Sequence, residues 1–325
     1  MFNLSFEQSL RVVTVVIALA LPAAAETDAQ FKLTDKNKKE SCPALWTGIG
    51  VPVYGKSAKR DATLVCHTRF VVMHNNATRS PDWVVERLKK SELTNKFNRP
   101  EQGFVQEKGV RPSARAKDDD YTNTKAELAR GHMAPSEDFN NDQEDMKESF
   151  VLSNAVPQVG DKFNGAIWGQ LEEEVRNAAI ARGELFVITG PVRALGKKRS
   201  RTISKAMNGC GSAIVLDGPA QARVCDANNK KPSVPCNAAG VVVPVGVYKI
   251  VYDPATETAY AFAMPNRDHP SKKGDDVRPY LDTFRVSVSA LESVTNVMFL
   301  RDLPAAKRSA ILRKCAPDSL WPQGS

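Results

Sequence analysis

The sequence predicts an α+β domain, and three observations carry that prediction. Runs rich in β-branched and aromatic residues recur at 64–74, 83–88, 184–189, 241–252, 259–264 and 284–288, bounded by turn-forming residues. One long stretch, 164–182, has helical spacing instead, with Ile167, Trp168, Leu171, Val175, Ala178 and Ala179 three and four apart. The two kinds of segment interleave without the regular strand-helix-strand rhythm of a parallel sheet. At 325 residues, 42% hydrophobic and 25% charged, the chain has a globular composition, enough for one large domain or two small ones.

Residues 12–21 form an uncharged apolar run after Arg11, too short to span a bilayer as a helix, and Pro22 and three alanines follow it. This reads as a signal peptide over 1–25. It predicts an exported protein, periplasmic or extracellular, with no membrane segment in the mature form. Six cysteines, Cys42, Cys66, Cys210, Cys225, Cys236 and Cys315, lack C-x-x-C spacing and fit disulfides in such a compartment. Short loop closure favours Cys42 with Cys66, and Cys210 with either Cys225 or Cys236. A net charge of +8 tilts the chain towards polyanionic partners, either nucleic acid or an anionic membrane surface.

Residues 26–60 read as a polar lead-in to a domain over 61–315. Within it, 64–74 and 83–88 are neighbouring strands, and His67 and His74 on the first are ordinary strand residues without a ligand partner beside them. From 91 to 127 periodicity fades into a long loop carrying Arg99, Arg111 and Arg115, then Asp118-Asp119-Asp120, a solvated acidic run. The helix at 164–182 starts at Asn164, a favoured N-cap, stops before Gly183, and carries Glu172, Glu173 and Glu174 on a solvated face. The strand at 184–189 ends at Gly190-Pro191. Strands at 241–252 and 259–264 flank Asp253-Pro254-Ala255-Thr256, a hairpin signal. Between them, 193–240 reads as an insertion, basic at Lys197, Lys198, Arg199, Arg201 and Lys205 and then holding three cysteines. It serves either as extra nucleic-acid surface or as a stapled loop. A strand at 284–288, helices at 290–294 and 305–315, and a loose tail at 316–325 complete the chain.

The stretch Arg130-Gly131-His132 carries the chemistry. A glycine between a guanidinium and an imidazole leaves the backbone free to aim both at one small anion. Histidine titrates near neutrality and can take a proton from water, while arginine stays charged and forks onto phosphate oxygens. Together they point to phosphodiester hydrolysis. No G-x-S-x-G elbow, H-E-x-x-H pair or P-loop offers another chemistry.

Downstream come Ser153-Asn154-x-x-Pro157-Gln158 and then Asn164-x-x-x-Trp168-x-x-Leu171-Glu172-x-x-x-Arg176. With Asp120-Tyr121-Thr122 upstream, Val187-Ile188-Thr189-Gly190-Pro191 after the helix and Phe284-Arg285-Val286 near the end, this order resembles the DNA/RNA non-specific endonucleases of the ββα-metal group. That group takes in the secreted Serratia nuclease and mitochondrial endonuclease G, and the likeness runs over about 64–304. The resemblance implies a His-Me finger fold, with a central mostly antiparallel sheet flanked by helices. It also implies a metal-dependent enzyme that cuts DNA and RNA backbones to leave 5′-phosphates. On the same resemblance His132 is the general base, Asn164 the sole protein ligand of magnesium, with manganese as an alternative, and Glu172 the carboxylate holding the metal's water. Asn154 lies near the metal, and Arg130 and Arg99 neutralise the phosphate. One position departs: the family has aspartate before the arginine, and here it is Ala129. The rival expectation, from another class, is a nucleic-acid binder of the same fold with impaired turnover, against which stand His132, Asn164 and Glu172 together.

Overall fold

Near-continuous apolar runs such as 241–252 call for cover on both faces of a sheet, and the structure supplies it. The computed structural model describes residues 41–55, 60–94, 96–101, 103–121, 128–194, 200–219 and 241–322. Its strands in chain order are Val53–Tyr54 (β1), Ala62–Cys66 (β2), Phe70–Asn75 (β3), Ser80–Lys89 (β4), Leu128–His132 (β5), Ala155–Val159 (β6), Glu184–Val192 (β7), Ser200–Ile203 (β8), Ile214–Asp217 (β9), Gly246–Asp253 (β10), Thr258–Pro265 (β11) and Val297–Met298 (β12). Helices are Ser41–Ala44 (α1), Gln143–Glu148 (α2), Gly169–Arg182 (α3), Val277–Asp282 (α4), Val288–Thr295 (α5) and Ala305–Arg313 (α6).

Six strands form one sheet in the order β11-β10-β7-β4-β3-β2, every neighbour antiparallel. The α+β class and the antiparallel sheet therefore hold. Because side chains alternate across a pleated strand, each central strand feeds two cores. Trp83, Val85, Ile188 and Ile250 face one core with Ile203, Leu216, Leu291 and Leu312. Val84, Leu88, Val187 and Val251 face the other with Phe139, Phe163, Trp168 and Leu171. The first core is covered by α5, α6 and the β8–β9 hairpin, and the second by α3 and the chain that follows β5. The β5–β6 ribbon pairs Arg130 with Pro157 and His132 with Ala155.

Several expectations are corrected. The run at 64–74 is two strands, with Leu64 opposite Met73 across a turn at 67–69. No glycine or proline marks that turn. It is fixed instead by the Cys42–Cys66 disulfide and by the buried His67, whose Nε2 lies 3.0 Å from Glu107 Oε2. The helix expected at 164–182 is regular only from Gly169. Residues Gly160–Trp168 form a wide π-type helical segment, and Ala166 departs from helical angles (φ −124°, ψ −108°). Asn164 thus lies inside that segment and caps nothing, whereas Gly183, at φ 93°, does end α3 in a conformation that suits glycine. The segment 284–288 contributes one bridge, Arg285 to Phe262, and not a strand.

The ends are more firmly built in than a lead-in and a tail. Cys42, Leu45, Ile49, Val51 and Val53 are buried in the first core, while Leu320 and Trp321 are buried in the second, with Trp321 stacked 5.5 Å from Phe262. Cys210 pairs with Cys315 rather than with Cys225 or Cys236, which lie outside the described residues. In the insertion, β8 and β9 pair and bury Ile203 and Leu216, and Arg201 donates to the carbonyl of Val294 at 3.0 Å. Lys197, Lys198 and Arg199 also fall outside the described residues.

Candidate active site

Strand geometry sets the first two groups. Alternation along β5 puts Arg130 and His132 on one face and Gly131 on the other. The glycine is there for space and not for unusual backbone angles: a Cβ on Gly131 would stand 2.2 Å from the side chain of Gln158 on β6. The His132 ring lies 4.7 Å from Phe104 and 4.9 Å from Phe150, edge-on to the latter. Its Nε2 is buried, and neither ring nitrogen makes a hydrogen bond among the described residues. Burial, and then the charge of Arg99, hold its pKa down to about 3. At neutral pH the imidazole is uncharged.

Behind His132 the chain is held by Asn154. Its Oδ1 accepts from Ala134 N at 2.9 Å, and its Nδ2 donates to the carbonyls of Ala134 at 2.9 Å and Ser149 at 3.0 Å. The residue is 0% exposed. This amide fastens the turn that follows His132.

Arg99, Arg130, His132, Asn164, Glu172 and Arg176 line one cleft of about 500 Å³. Arg99 is exposed, sits 4.9 Å over the Phe150 ring and makes no ion pair among the described residues. Arg130 is held. Its Nη2 meets Asp118 Oδ1 at 2.5 Å and the Asp118 carbonyl at 3.4 Å, and the Tyr121 ring lies 5.6 Å from its guanidinium carbon. The carboxylate missing at Ala129 is therefore supplied from Asp118. The acidic triplet is not simply a solvated run, for Asp120 is buried and its Oδ2 accepts from Lys117 N at 2.8 Å.

In the same cleft Asn164 makes no side-chain hydrogen bond among the described residues. Glu172, expected on a solvated face, is half-buried, with Oε1 sealed from solvent and unpaired. Burial pushes its pKa up to about 7, against the pull of Lys249. Arg176, one turn further on, reaches Asp138 Oδ1 at 3.2 Å. Arg176 closes the motif that begins at Asn164, whereas nothing in the local sequence marked Asp138, Glu86 or Lys249.

A family model described as DNA/RNA non-specific endonuclease matches residues 51–306. The chain belongs to that family. The endonuclease is 26% identical over 298 residues to the human mitochondrial nuclease EXOG, covering 90% of this chain and 69% of that protein. It is 26% identical over 254 residues to the mitochondrial nuclease of Saccharomyces cerevisiae, covering 75% of this chain and 68% of that protein. In fold it is similar to a chain of the EndoG/EndoGI inhibitor complex, with a TM-score of 0.61, 21% identity, and 87% of this chain and 99% of that chain covered. These mitochondrial relatives overturn the exported, periplasmic or extracellular placement expected from residues 1–25. Residues 1–25 themselves lie outside the described residues.

Proposed function

We propose that the endonuclease hydrolyses phosphodiester bonds of DNA and RNA with little regard for sequence, using His132 as the base that takes a proton from the attacking water. The observation that carries this is the place of the imidazole: free of hydrogen bonds among the described residues, in a cleft that it shares with Arg99, Arg130, Asn164 and Glu172. As His132 takes the proton, the water oxygen bonds to phosphorus and the bond from phosphorus to the 3′ oxygen breaks, leaving a 5′-phosphate. Arg99 and Nη1 of Arg130 would hold the non-bridging oxygens as their charge builds. Like its relatives, the protein would act in mitochondria.

Asn164 and Glu172 fit a divalent ion. An unpartnered amide oxygen and a carboxylate oxygen sealed without a hydrogen bond are hard donors of the kind magnesium takes. Asn164 would be the protein ligand, and Glu172 would accept hydrogen bonds from the ion's hydration shell; manganese suits the same donors. Bound there, the ion would supply Lewis-acid stabilisation of the departing 3′ oxygen. The test is cleavage of plasmid DNA and of RNA by the wild type and by His132→Ala, with magnesium and with chelator. Cleavage of both substrates, lost with chelator and in the variant, is expected. Near-normal turnover in His132→Ala, or indifference to chelator, would overturn the proposal.

A further inference from the structure

Pairing with Ala155 on β6 fixes the backbone of His132, but it does not fix the ring. An imidazole turns about a soft sp³–sp² torsion, so contacts must set its angle. In most working histidines a hydrogen bond on the second nitrogen does so. Here neither ring nitrogen makes one among the described residues. The ring is met instead by two phenyl groups. Phe104 lies 4.7 Å away, centre to centre, at an interplanar angle of 46°, and Phe150 lies 4.9 Å away at 86°. The two phenyl rings are themselves 5.4 Å apart at 55°. Such tilted and edge-on pairs attract through a negative ring face and a positive ring edge, so their attraction depends on angle and can orient a ring that has no hydrogen bond.

The two phenylalanines differ in what else holds them. Phe150 is 2% exposed and belongs to the core under α3. It also carries Arg99, whose guanidinium carbon lies 4.9 Å over its ring, so the base and that arginine share one support. Phe104 is half-buried, on a segment with no regular secondary structure, and the next residue, Val105, is 53% exposed. That segment is nevertheless fastened. Val105 N donates to the Phe150 carbonyl at 2.9 Å, and Leu152 N donates to the Val105 carbonyl at 2.9 Å, which makes a parallel bridge between Val105 and Val151. Three residues after Phe104, the buried Glu107 accepts from Gly109 N at 2.7 Å through Oε1. Its Oε2 accepts from Ser153 Oγ at 3.1 Å and lies 3.0 Å from His67 Nε2. What this fastening delivers is the Phe104 ring against His132.

We propose, on the reading of His132 as the base, that Phe104 is a positioning residue: with Phe150 it forms an aromatic slot that sets the angle of the imidazole in place of a hydrogen bond. A Phe104 that only packed the segment would matter equally whether or not an imidazole stood beside it. A double-mutant cycle separates the two roles.

The experiment makes Phe104→Leu, Phe104→Met and Phe104→Tyr both in the wild type and in His132→Ala. Single-turnover cleavage of DNA gives the rate at saturation and the DNA concentration for half the maximal rate, and thermal unfolding gives the melting temperature. In the wild-type background Phe104→Leu and Phe104→Met should slow the saturated rate about 10-fold, short of the roughly 10²-fold that a misplacement of about 1 Å costs, because Phe150 remains. Half-saturation should stay within about twofold, since no contact with substrate is lost. Phe104→Tyr keeps the ring and should hold the rate within about threefold of wild type. In His132→Ala there is no imidazole to orient, so the same changes should alter the residual rate by less than about twofold. An equal loss in both backgrounds would overturn the inference and make Phe104 a packing residue. Wild-type rates in Phe104→Leu and Phe104→Met, or a raised half-saturation with an intact rate, would overturn it as well. His132→Ala alone tells the two failures apart. If that variant keeps near-normal turnover, the assignment of the base falls and the slot falls with it; if it is slow while the Phe104 changes cost the same in both backgrounds, only the slot falls.

Discussion

Two asparagines ten residues apart in the chain, Asn154 and Asn164, behave in opposite ways. Asn154 is fully buried and spends its amide on three hydrogen bonds to the chain around it. Asn164 lies on a wide helical turn, lines the cleft and makes no side-chain hydrogen bond among the described residues. A satisfied amide holds a fold together, and an unsatisfied one at a cleft wall is available to a ligand. The same contrast separates the arginines: Arg130 is held on Asp118 and Tyr121, while Arg99 rests on Phe150 with no ion pair among the described residues.

The largest effect that can break the comparison is on stability. Asn154→Ala leaves buried donors and acceptors unpaired, each costing about 1–3 kcal/mol. A fall in melting temperature on the order of 5–10 °C is expected from thermal unfolding. Asn164→Ala should leave melting nearly unchanged in the absence of metal, because no cap is lost, yet reduce magnesium-dependent cleavage by about 10–100-fold. If the melting losses were reversed between the two, the division of roles would be wrong.

Smaller effects sharpen the picture. Asp118→Asn keeps the shape of the partner but removes its charge, so Arg130 loses a fixed orientation. Since exposed ion pairs are worth only about 0–1 kcal/mol, a rise of a few-fold in KM is expected. Steady-state kinetics at low salt would show this. For Glu172 the folded protein titrates at about 7 against an ordinary 4.5. It therefore binds a proton between those values that the unfolded chain does not. The stability it contributes is fully present below pH 4.5 and is lost as pH rises through 7. Glu172→Gln should flatten that decline in melting temperature measured without metal, and an unchanged pH profile would show that the carboxyl is not held in its protonated form.

Much of this was legible in the chain itself. The strands β3, β4, β7, β10 and β11 followed from β-branched runs, and Asp253 does cap the hairpin turn, accepting from Ala255 N at 2.8 Å. Arg130, His132, Asn164 and Glu172 were named by motif, and the structure gathers them round one cleft. What stayed hidden was what depends on distant partners. The turn at 67–69 has no turn-forming residue because a disulfide and an ion-paired histidine fix it. The Cys210–Cys315 bridge spans 105 residues, beyond any preference for short loops. Nothing in the local sequence marks the charged residues Glu86 and Lys249 as buried; the sheet, covered on both faces, buries them. Asn154 and Asn164 look alike as letters, and only their hydrogen bonds divide them.

The claim on which the rest depends is that His132 takes the proton, and chemical rescue tests it most directly. Single-turnover cleavage of DNA by His132→Ala should fall by about 10²- to 10⁴-fold while DNA affinity and melting stay close to wild type. Added imidazole should restore part of the rate in proportion to its unprotonated fraction. Turnover in the variant within about threefold of wild type, far short of the loss a general base should show, would contradict the account.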